Sequence, residues 1–244
     1  MSETFTDAPV CRRGGATHWP AMTRWSLPYL SRLFQEEQLL LTTDLAASAP
    51  VRKMAFPEYC SYVARSGVAG QRGHSFYATY FQPLASEKLA GDWQLPGYEN
   101  LFLDLPSEVV TQYLRRFGWL LLSPRDGKAS RHTDLFATYA WLAVIWGRKH
   151  ILVWSPQDAD SAPLMECWLE AGDLLYIPPL YPHQIVNVEP TLSVTLNGIR
   201  RHQVPQLRAA AVADYAGWRR HWQLAGQQSL VDSHFGIAAE TELH

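Results

Sequence analysis

The chain has 244 residues, 47% of them hydrophobic and 18% charged, with a formal net charge of −2. This balance is ordinary for one large globular domain, and the weak charge argues against an extended nucleic-acid surface. Three scattered cysteines, Cys11, Cys60 and Cys167, argue against a disulfide scaffold or a structural zinc site. We see no membrane-spanning stretch and no secretory signal. We therefore expect a soluble, cytoplasmic protein.

The first half of the chain carries mostly helical signals. The predicted elements are a flexible arm over 1–18, helices over 25–41, 56–67 and 106–117, and a strand over 75–82. Ser26 is the expected N-cap of the first of these helices, and Pro28 fits its first turn. Gly118 is expected to end the third as a C-terminal glycine does.

The second half carries strand signals instead. Short segments rich in β-branched and aromatic residues are separated by Gly, Pro and Asp turns, and they lie at 119–122, 135–146, 150–154, 173–177, 184–188 and 192–197. Such spacing favours a sandwich or barrel over βαβ units. We predict one mainly β domain surrounded by helices.

The tail predicts one further helix. Apolar residues recur every three or four positions and form one stripe, at Val204, Leu207, Ala211, Tyr215, Trp218 and Trp222. A continuous stripe of this kind buries itself against a partner surface. That surface is either the chain's own core or a second copy of the chain, which would make a homodimer.

His132-Thr133-Asp134 and the more distant His183 carry the chemistry. Side chains two residues apart on a strand point to the same side. His132 and Asp134 could therefore bind one metal ion, with His183 as the third ligand. Two imidazoles and one carboxylate form the facial triad of non-haem Fe(II) oxygenases. We assign no metal-binding role to Asp232-Ser233-His234, which has the same residue types in reverse order.

The order of motifs resembles a known family. The matching segments are Phe117–Pro124, His132–Asp134, Gly147–Pro156, Gly172–Pro179, His183 and Val194–Asn197. In this order they resemble the JmjC-type, cupin-like hydroxylases that use Fe(II) and 2-oxoglutarate, and in particular the small JmjC-only enzymes that modify protein side chains. The resemblance covers about residues 19–200. It implies a double-stranded β-helix (jelly roll) with N-terminal helices, followed by a helical extension over 201–244.

The resemblance also implies roles for individual residues. His132, Asp134 and His183 match the iron ligands, and Lys149 matches the lysine that binds the distal carboxylate of 2-oxoglutarate. Tyr80 lies where a tyrosine often supports that carboxylate, with Tyr77 as the alternative.

Two further positions complete the implied cosubstrate site. Asn197 matches a polar residue near cosubstrate and metal. The family usually shows a hydroxyl residue just before the first histidine, where this chain has Ala129-Ser130-Arg131. Ser130 is the candidate for that hydroxyl, while Arg131 would either meet a carboxylate or point away.

We therefore predict an Fe(II)- and 2-oxoglutarate-dependent oxygenase that uses O2 to hydroxylate an unactivated C–H bond. The resemblance favours a peptide or protein side chain as substrate, with an amino-acid-derived small molecule as the second candidate. Two alternatives remain open. One is a cupin dioxygenase or isomerase that uses a metal without 2-oxoglutarate, and the other is a non-catalytic β-barrel binding protein.

Overall fold

The structure is a computed structural model, and we describe residues 7–46, 49–66, 76–79, 81–158, 160–222 and 227–237 of it. No helix in these ranges is both long and apolar enough to cross a membrane.

The N-terminal half combines short helices with a small antiparallel sheet. Its helices are α1 (Ala21–Arg24), α2 (Leu27–Leu33), α3 (Phe56–Ser66) and α4 (Ser107–Phe117). Its strands are β1 (Val10–Arg12), β2 (Gln38–Thr42), β3 (Arg52–Ala55) and β4 (Tyr77–Thr79), and the sheet has the order β3-β2-β4. Short 3₁₀ helices lie at Pro83–Ala85, Glu87–Leu89 and Leu101–Asp104.

The helix predicted over 25–41 is correct only in its first part. Ser26 caps α2 as expected, because its hydroxyl accepts a hydrogen bond from the backbone N–H of Tyr29 at 3.3 Å. The helix ends at Leu33, and the following leucines belong to β2. Leu39 and Leu41 are buried while Leu40 is 42% exposed. This period of two is typical of a strand with one buried face.

Part of the segment predicted as a flexible arm is also a strand. Val10–Arg12 pairs antiparallel with β10, so this segment forms one edge of the largest sheet. Residues 1–6 lie outside the described part of the chain.

The C-terminal half forms two antiparallel sheets that face one another. Its strands are β5 (Gly118–Ser123), β6 (Lys128–His132), β7 (Tyr139–Trp146), β8 (Lys149–Val153), β9 (Met165–Leu169), β10 (Leu174–Ile177), β11 (His183–Asn187) and β12 (Thr191–Gly198). The larger sheet has the order β1-β10-β7-β12-β5 and the smaller one β6-β11-β8-β9. The predicted double-stranded β-helix is thereby confirmed, although in the described residues its strands make two sheets and no single closed ring.

Alternation along each strand divides the apolar residues between two cores. One core lies between the sheets and includes Leu142, Ile151 and Ile185. The other lies under the helices on the outer face of the larger sheet, where Trp141 and Leu196 pack. The jelly roll therefore has an interior lined by every second residue of its strands.

The strand β9 lies in a stretch for which no element was predicted. Its residues alternate between exposed Glu166 and Trp168 and buried Cys167 and Leu169. The strand segment predicted over 135–146 begins only at Tyr139, after a 3₁₀ turn at Leu135–Ala137.

The C-terminal stripe packs on the chain's own core, but its helix is not continuous. The helices are α5 (Val204–Ala213), α6 (Tyr215–His221) and α7 (Gln228–Phe235). Asp214 breaks the predicted helix and caps α6 by accepting a hydrogen bond from the backbone N–H of Gly217 at 2.8 Å. Leu207, Trp218 and Trp222 are almost fully buried in the core, so they offer no surface to a second copy of the chain.

Gly118 serves close packing and does not form a left-handed helix end. Its φ of −122° and ψ of 127° are extended, and β5 begins there directly after α4. A Cβ at this position would lie 2.8 Å from the carbonyl oxygen of Leu114 and 2.9 Å from a methyl group of Leu84. Glycine is needed because helix, strand and 3₁₀ turn meet here.

We expect Gly118→Ala to lower the free energy of unfolding by about 1–3 kcal/mol, the usual cost of overpacking. Equilibrium urea unfolding measures this change. Gly97→Ala is the matched control, because a Cβ at Gly97 would have no heavy atom within 4 Å. Equal stability of the two variants would contradict the packing argument.

Candidate metal centre

The three predicted ligands converge at one end of the smaller sheet. His132 is the last residue of β6 and His183 the first residue of β11, and the two are register partners. Asp134 lies just beyond β6, where its extended backbone (φ −68°, ψ 157°) continues the direction of the strand. The prediction that His132 and Asp134 share a strand is therefore wrong by two residues, yet their side chains meet.

A β-bulge turns His132 toward the interior. The register pairs His183 with His132 but Ile185 with Ala129, so Ser130 and Arg131 stand opposite the single residue Gln184. An extra residue of this kind shifts the alternation of side chains. Ala129 and His132 consequently both face the interior although they are three positions apart.

The geometry of the three side chains suits a small cation. One ligand atom from each residue lies within 4.8 Å of the others. The His132 and His183 rings have centroids 4.3 Å apart and planes inclined by 55°. His183 Nε2 lies 3.9 Å from Asp134 Oδ2, and His183 is 3% exposed.

Backbone carbonyls set the orientation of both imidazoles. His132 Nδ1 lies 2.7 Å from the carbonyl oxygen of Ser130, and His183 Nδ1 lies 3.0 Å from that of Tyr181. A carbonyl only accepts, so Nδ1–H donates in each ring and the lone pair is at Nε2. Burial, with His183 alongside, lowers the pKa of His132 and favours its neutral, metal-binding form. Two Nε2 lone pairs and one carboxylate fit a divalent ion such as Fe(II), with positions left for other ligands.

Ser130 supports this arrangement through a contact that was not predicted, a pair of hydrogen bonds to Asp44. Its backbone N–H donates to Asp44 Oδ1 at 2.9 Å, and its hydroxyl donates to the other oxygen of the same carboxylate. Burial alone would raise the pKa of Asp44, but the hydrogen bonds from Ser130 and Ala46 outweigh it and the pKa is lowered. The ionised Asp44 thus holds the strand whose carbonyl orients His132. No local motif marks Asp44, which lies 86 residues before its partner.

Lys149 lies at the opposite end of the same interior. It is 0% exposed. In the pairing of β8 with β11, Lys149 lies opposite Asn187, and Val153, four residues further along β8, lies opposite His183. Four strand residues span about 13 Å. Interior-facing side chains repeat every second residue, so Lys149 and His183 face the same interior at its two ends.

Asn187 anchors the ammonium group of Lys149. Lys149 Nζ donates to Asn187 Oδ1 at 2.6 Å, and the Thr191 hydroxyl donates to the same oxygen at 2.7 Å. Asn187 Nδ2 in turn donates to Ser123 Oγ at 2.7 Å and to the carbonyl of Gly127 at 2.6 Å. Sequence reasoning missed Asn187, whose role depends on contacts between both sheets.

Burial lowers the pKa of Lys149 from 10.5 to about 7. A carboxylate bound beside Nζ would stabilise the charged form. The hydroxyl of Ser193, on the neighbouring interior face of β12, is buried without a hydrogen-bond partner among the described residues. A buried lysine and an unsatisfied hydroxyl are a chemically suitable end for the distal carboxylate of 2-oxoglutarate.

The remaining predicted residues have mixed outcomes. Asn197 is buried on β12, and its Nδ2 donates to Thr138 Oγ1 at 3.0 Å, which adds Thr138 to the polar interior. Arg131 lies over the Trp154 ring at 5.2 Å and reaches Asp160 at 3.8 Å. Tyr80 lies outside the described residues. Tyr77 belongs to β4, and its side chain is not described.

Comparison with known proteins agrees with this architecture. A family profile described as "JmjC domain" matches residues 152–207, a stretch that includes His183 and Asn197. Residues 152–207 are therefore similar to a JmjC domain. The match is consistent with the resemblance drawn from the motifs, although that resemblance covers about residues 19–200 and so begins well before residue 152.

Two curated proteins are similar over most of the chain. Lysine-specific demethylase JMJ21 of Arabidopsis thaliana is 26% identical, covering 79% of this chain and 23% of that protein. 2-Oxoglutarate and iron-dependent oxygenase JMJD4 of Gallus gallus is 23% identical, covering 82% of this chain and 54% of that protein. The chain thus spans from about a quarter to half of the length of these relatives.

A solved structure shares the fold. The X-ray structure of Escherichia coli ycfD aligns with a TM-score of 0.50 and 18% identity, over 92% of this chain and 57% of that one. At this level of identity the likeness concerns the fold alone.

The buried lysine predicts a measurable pH dependence of stability. Between pH 7 and 10.5 the unfolded chain holds a proton on Lys149 that the folded, ligand-free protein lacks, so stability rises with pH across this window. Below pH 7 the cost of the buried charge is fully present. Each pKa unit corresponds to about 1.4 kcal/mol.

We expect Lys149→Met to stabilise the ligand-free protein by a few kcal/mol near pH 6 and to remove the rise above pH 7. Urea unfolding at a series of pH values, compared between the two proteins, isolates this group from all others that titrate. Parallel pH profiles would show that Lys149 carries no such cost.

Proposed function

We propose that this protein is an Fe(II)- and 2-oxoglutarate-dependent oxygenase that hydroxylates an unactivated C–H bond. The observation that carries the proposal is the shared interior of the jelly roll. One end presents two Nε2 lone pairs and a carboxylate within 4.8 Å, and the other presents a fully buried lysine. When bound, iron and 2-oxoglutarate would supply O2 activation coupled to oxidative decarboxylation, with succinate and carbon dioxide as coproducts.

Each residue has a distinct part in this proposal. His132, Asp134 and His183 would hold the metal and leave half of its coordination positions for cosubstrate and O2. Lys149 would bind the distal carboxylate of 2-oxoglutarate through a charge-assisted hydrogen bond, with Asn187 keeping Nζ in place. The polar residues Ser193 and Asn197 on β12 would line the path between the two ends.

A peptide or protein side chain is the proposed substrate. The names of the relatives, a lysine-specific demethylase and an oxygenase, support a protein substrate. They do not distinguish a hydroxylated product from a demethylated one. Leu135 and Leu180 are 49% and 42% exposed on the loops next to Asp134 and His183, where they could contact such a chain. An amino-acid-derived small molecule is the alternative, and the net charge of −2 gives RNA little support.

The cytoplasm is the proposed location. All three cysteines, Cys11, Cys60 and Cys167, are free thiols, as is usual in a reducing compartment. A homodimer through the C-terminal helices is not part of the proposal, because their apolar stripe is buried in the chain's own core.

The alternatives explain fewer of the observed features. A cupin that works without 2-oxoglutarate would need the triad but not a buried lysine, which lowers stability. A non-catalytic binding protein would need neither the triad nor the two carbonyls that orient its imidazoles.

Anaerobic titration of the metal-free protein with Fe(II) and 2-oxoglutarate tests the proposal. We expect a weak visible charge-transfer band that requires both additions, because the cosubstrate chelates iron. Asp134→Ala should abolish the band. Lys149→Ala should raise the 2-oxoglutarate concentration needed for it by about 100-fold, equivalent to the roughly 3 kcal/mol of a buried charge-assisted contact.

His234→Ala is the control for loss of a histidine, since His234 is exposed on α7 and does not belong to the group of possible metal ligands. It should leave the band unchanged. Tight iron binding without a band in the unmodified protein would favour the cupin without 2-oxoglutarate. Absence of iron binding would leave only the binding-protein alternative.

A further inference from the structure

The loop that follows Asp134 has an unusual backbone. Phe136 (φ 53°, ψ 35°) and Ala137 (φ 50°) are consecutive left-handed residues, and neither is glycine. Residues with a Cβ disfavour this region because Cβ approaches the carbonyl oxygen. Such a conformation persists only where the surrounding contacts impose it.

The C-terminal helices provide those contacts. The Phe136 ring meets the Trp218 ring edge to face, with centroids 5.0 Å apart and planes at 89°, and meets His221 at 5.6 Å and 70°. Trp218 is fully buried, and its Nε1–H donates to Asp232 Oδ1 on α7 at 2.7 Å. Phe136 is therefore held by a rigid aromatic site outside the jelly roll.

The other end of the loop is fixed as well. The backbone N–H and the hydroxyl of Thr138 both donate to the carbonyl of Leu135, at 3.1 and 2.7 Å. Asn197 Nδ2 donates to Thr138 Oγ1 at 3.0 Å. The turn between Asp134 and β7 is thus closed by hydrogen bonds and anchored by one ring.

Asp134 depends on this turn more than the two histidines do. Each imidazole is oriented by a hydrogen bond from its own Nδ1. The Asp134 carboxylate makes no capping hydrogen bond to the turn that follows it. Its direction is set mainly by the backbone, and hence by what holds Phe136.

We propose that Phe136 is a positioning residue for the metal ligand Asp134, and that Trp218 and His221 are the site that holds it. This inference rests on the proposed metal-binding function. It implies that the C-terminal helices help to position a metal ligand, although none of their described residues is itself a proposed ligand.

The test measures metal affinity and not turnover. Metal-free protein is titrated with Co(II), whose visible absorption reports on its ligands, and in a second series with Fe(II) under anaerobic conditions. We expect Phe136→Ala to weaken binding by about tenfold or more, as removal of groups that orient metal ligands does. Leu230→Ala, at an apolar residue of α7 that is 45% exposed, is the matched control and should bind within about twofold of the unmodified protein.

Two more variants separate positioning from general loosening. Phe136→Gly accepts the left-handed conformation without strain but lacks the ring, and it should bind as weakly as Phe136→Ala. Combined with Asp134→Ala, the Phe136→Ala change should cause no further loss of the affinity that His132 and His183 retain. A loosened fold would instead lose affinity again in the combined variant.

Each outcome bears on one claim. If Phe136→Ala does not fold, Phe136→Leu provides the same comparison, with a partial loss of affinity expected. Unchanged affinity in the folded Phe136 variants, with tight binding by the unmodified protein, would overturn this inference and leave the proposed function intact. Absence of metal binding in the unmodified protein would overturn the proposed function, and this inference with it.

Discussion

The pairing of β6 with β11 is the constraint on which the candidate metal centre depends. It brings His132 and His183 into register, and the bulge at Ser130 and Arg131 turns His132 to the same interior that receives His183. Without the bulge, strict alternation would direct His132 to the outer face of the sheet whenever Ala129 pointed inward. Asp44 binds the backbone of the bulged segment at Ser130, so the strand is held at the position where its alternation changes.

The sequence predicted the parts of this protein that depend on local pattern or on motif order. The triad residues do meet, and the jelly roll is present. The helices α3 and α4 have nearly the predicted bounds. These predictions succeeded because periodicity and turn residues act over a few positions. The leucines of β2 were assigned to a helix because their period of two is short and follows directly on a helical stretch.

The missed residues have a different origin. Asp44, Asn187 and Thr138 act through partners that lie far away in sequence or on another strand, and no spacing rule identifies them. Ser130 was selected for its hydroxyl, but the bulge and Asp44 give that group another partner. Local pattern therefore identified the three residues that converge, whereas the groups that orient their side chains became visible only once the sheets were assembled.

The hydrogen bonds around Asn187 have a consequence for the order of events. They join Ser123, Gly127, Lys149 and Thr191 across the end of the interior that lies away from the triad. Under the proposed function, these hydrogen bonds would occupy the end of the interior behind Lys149, so a cosubstrate would reach Lys149 from the triad end. It would then have to bind before a large substrate covers that end, and succinate would leave after the product. The hydrogen bonds around Asn187 would in this way impose an order on binding and release.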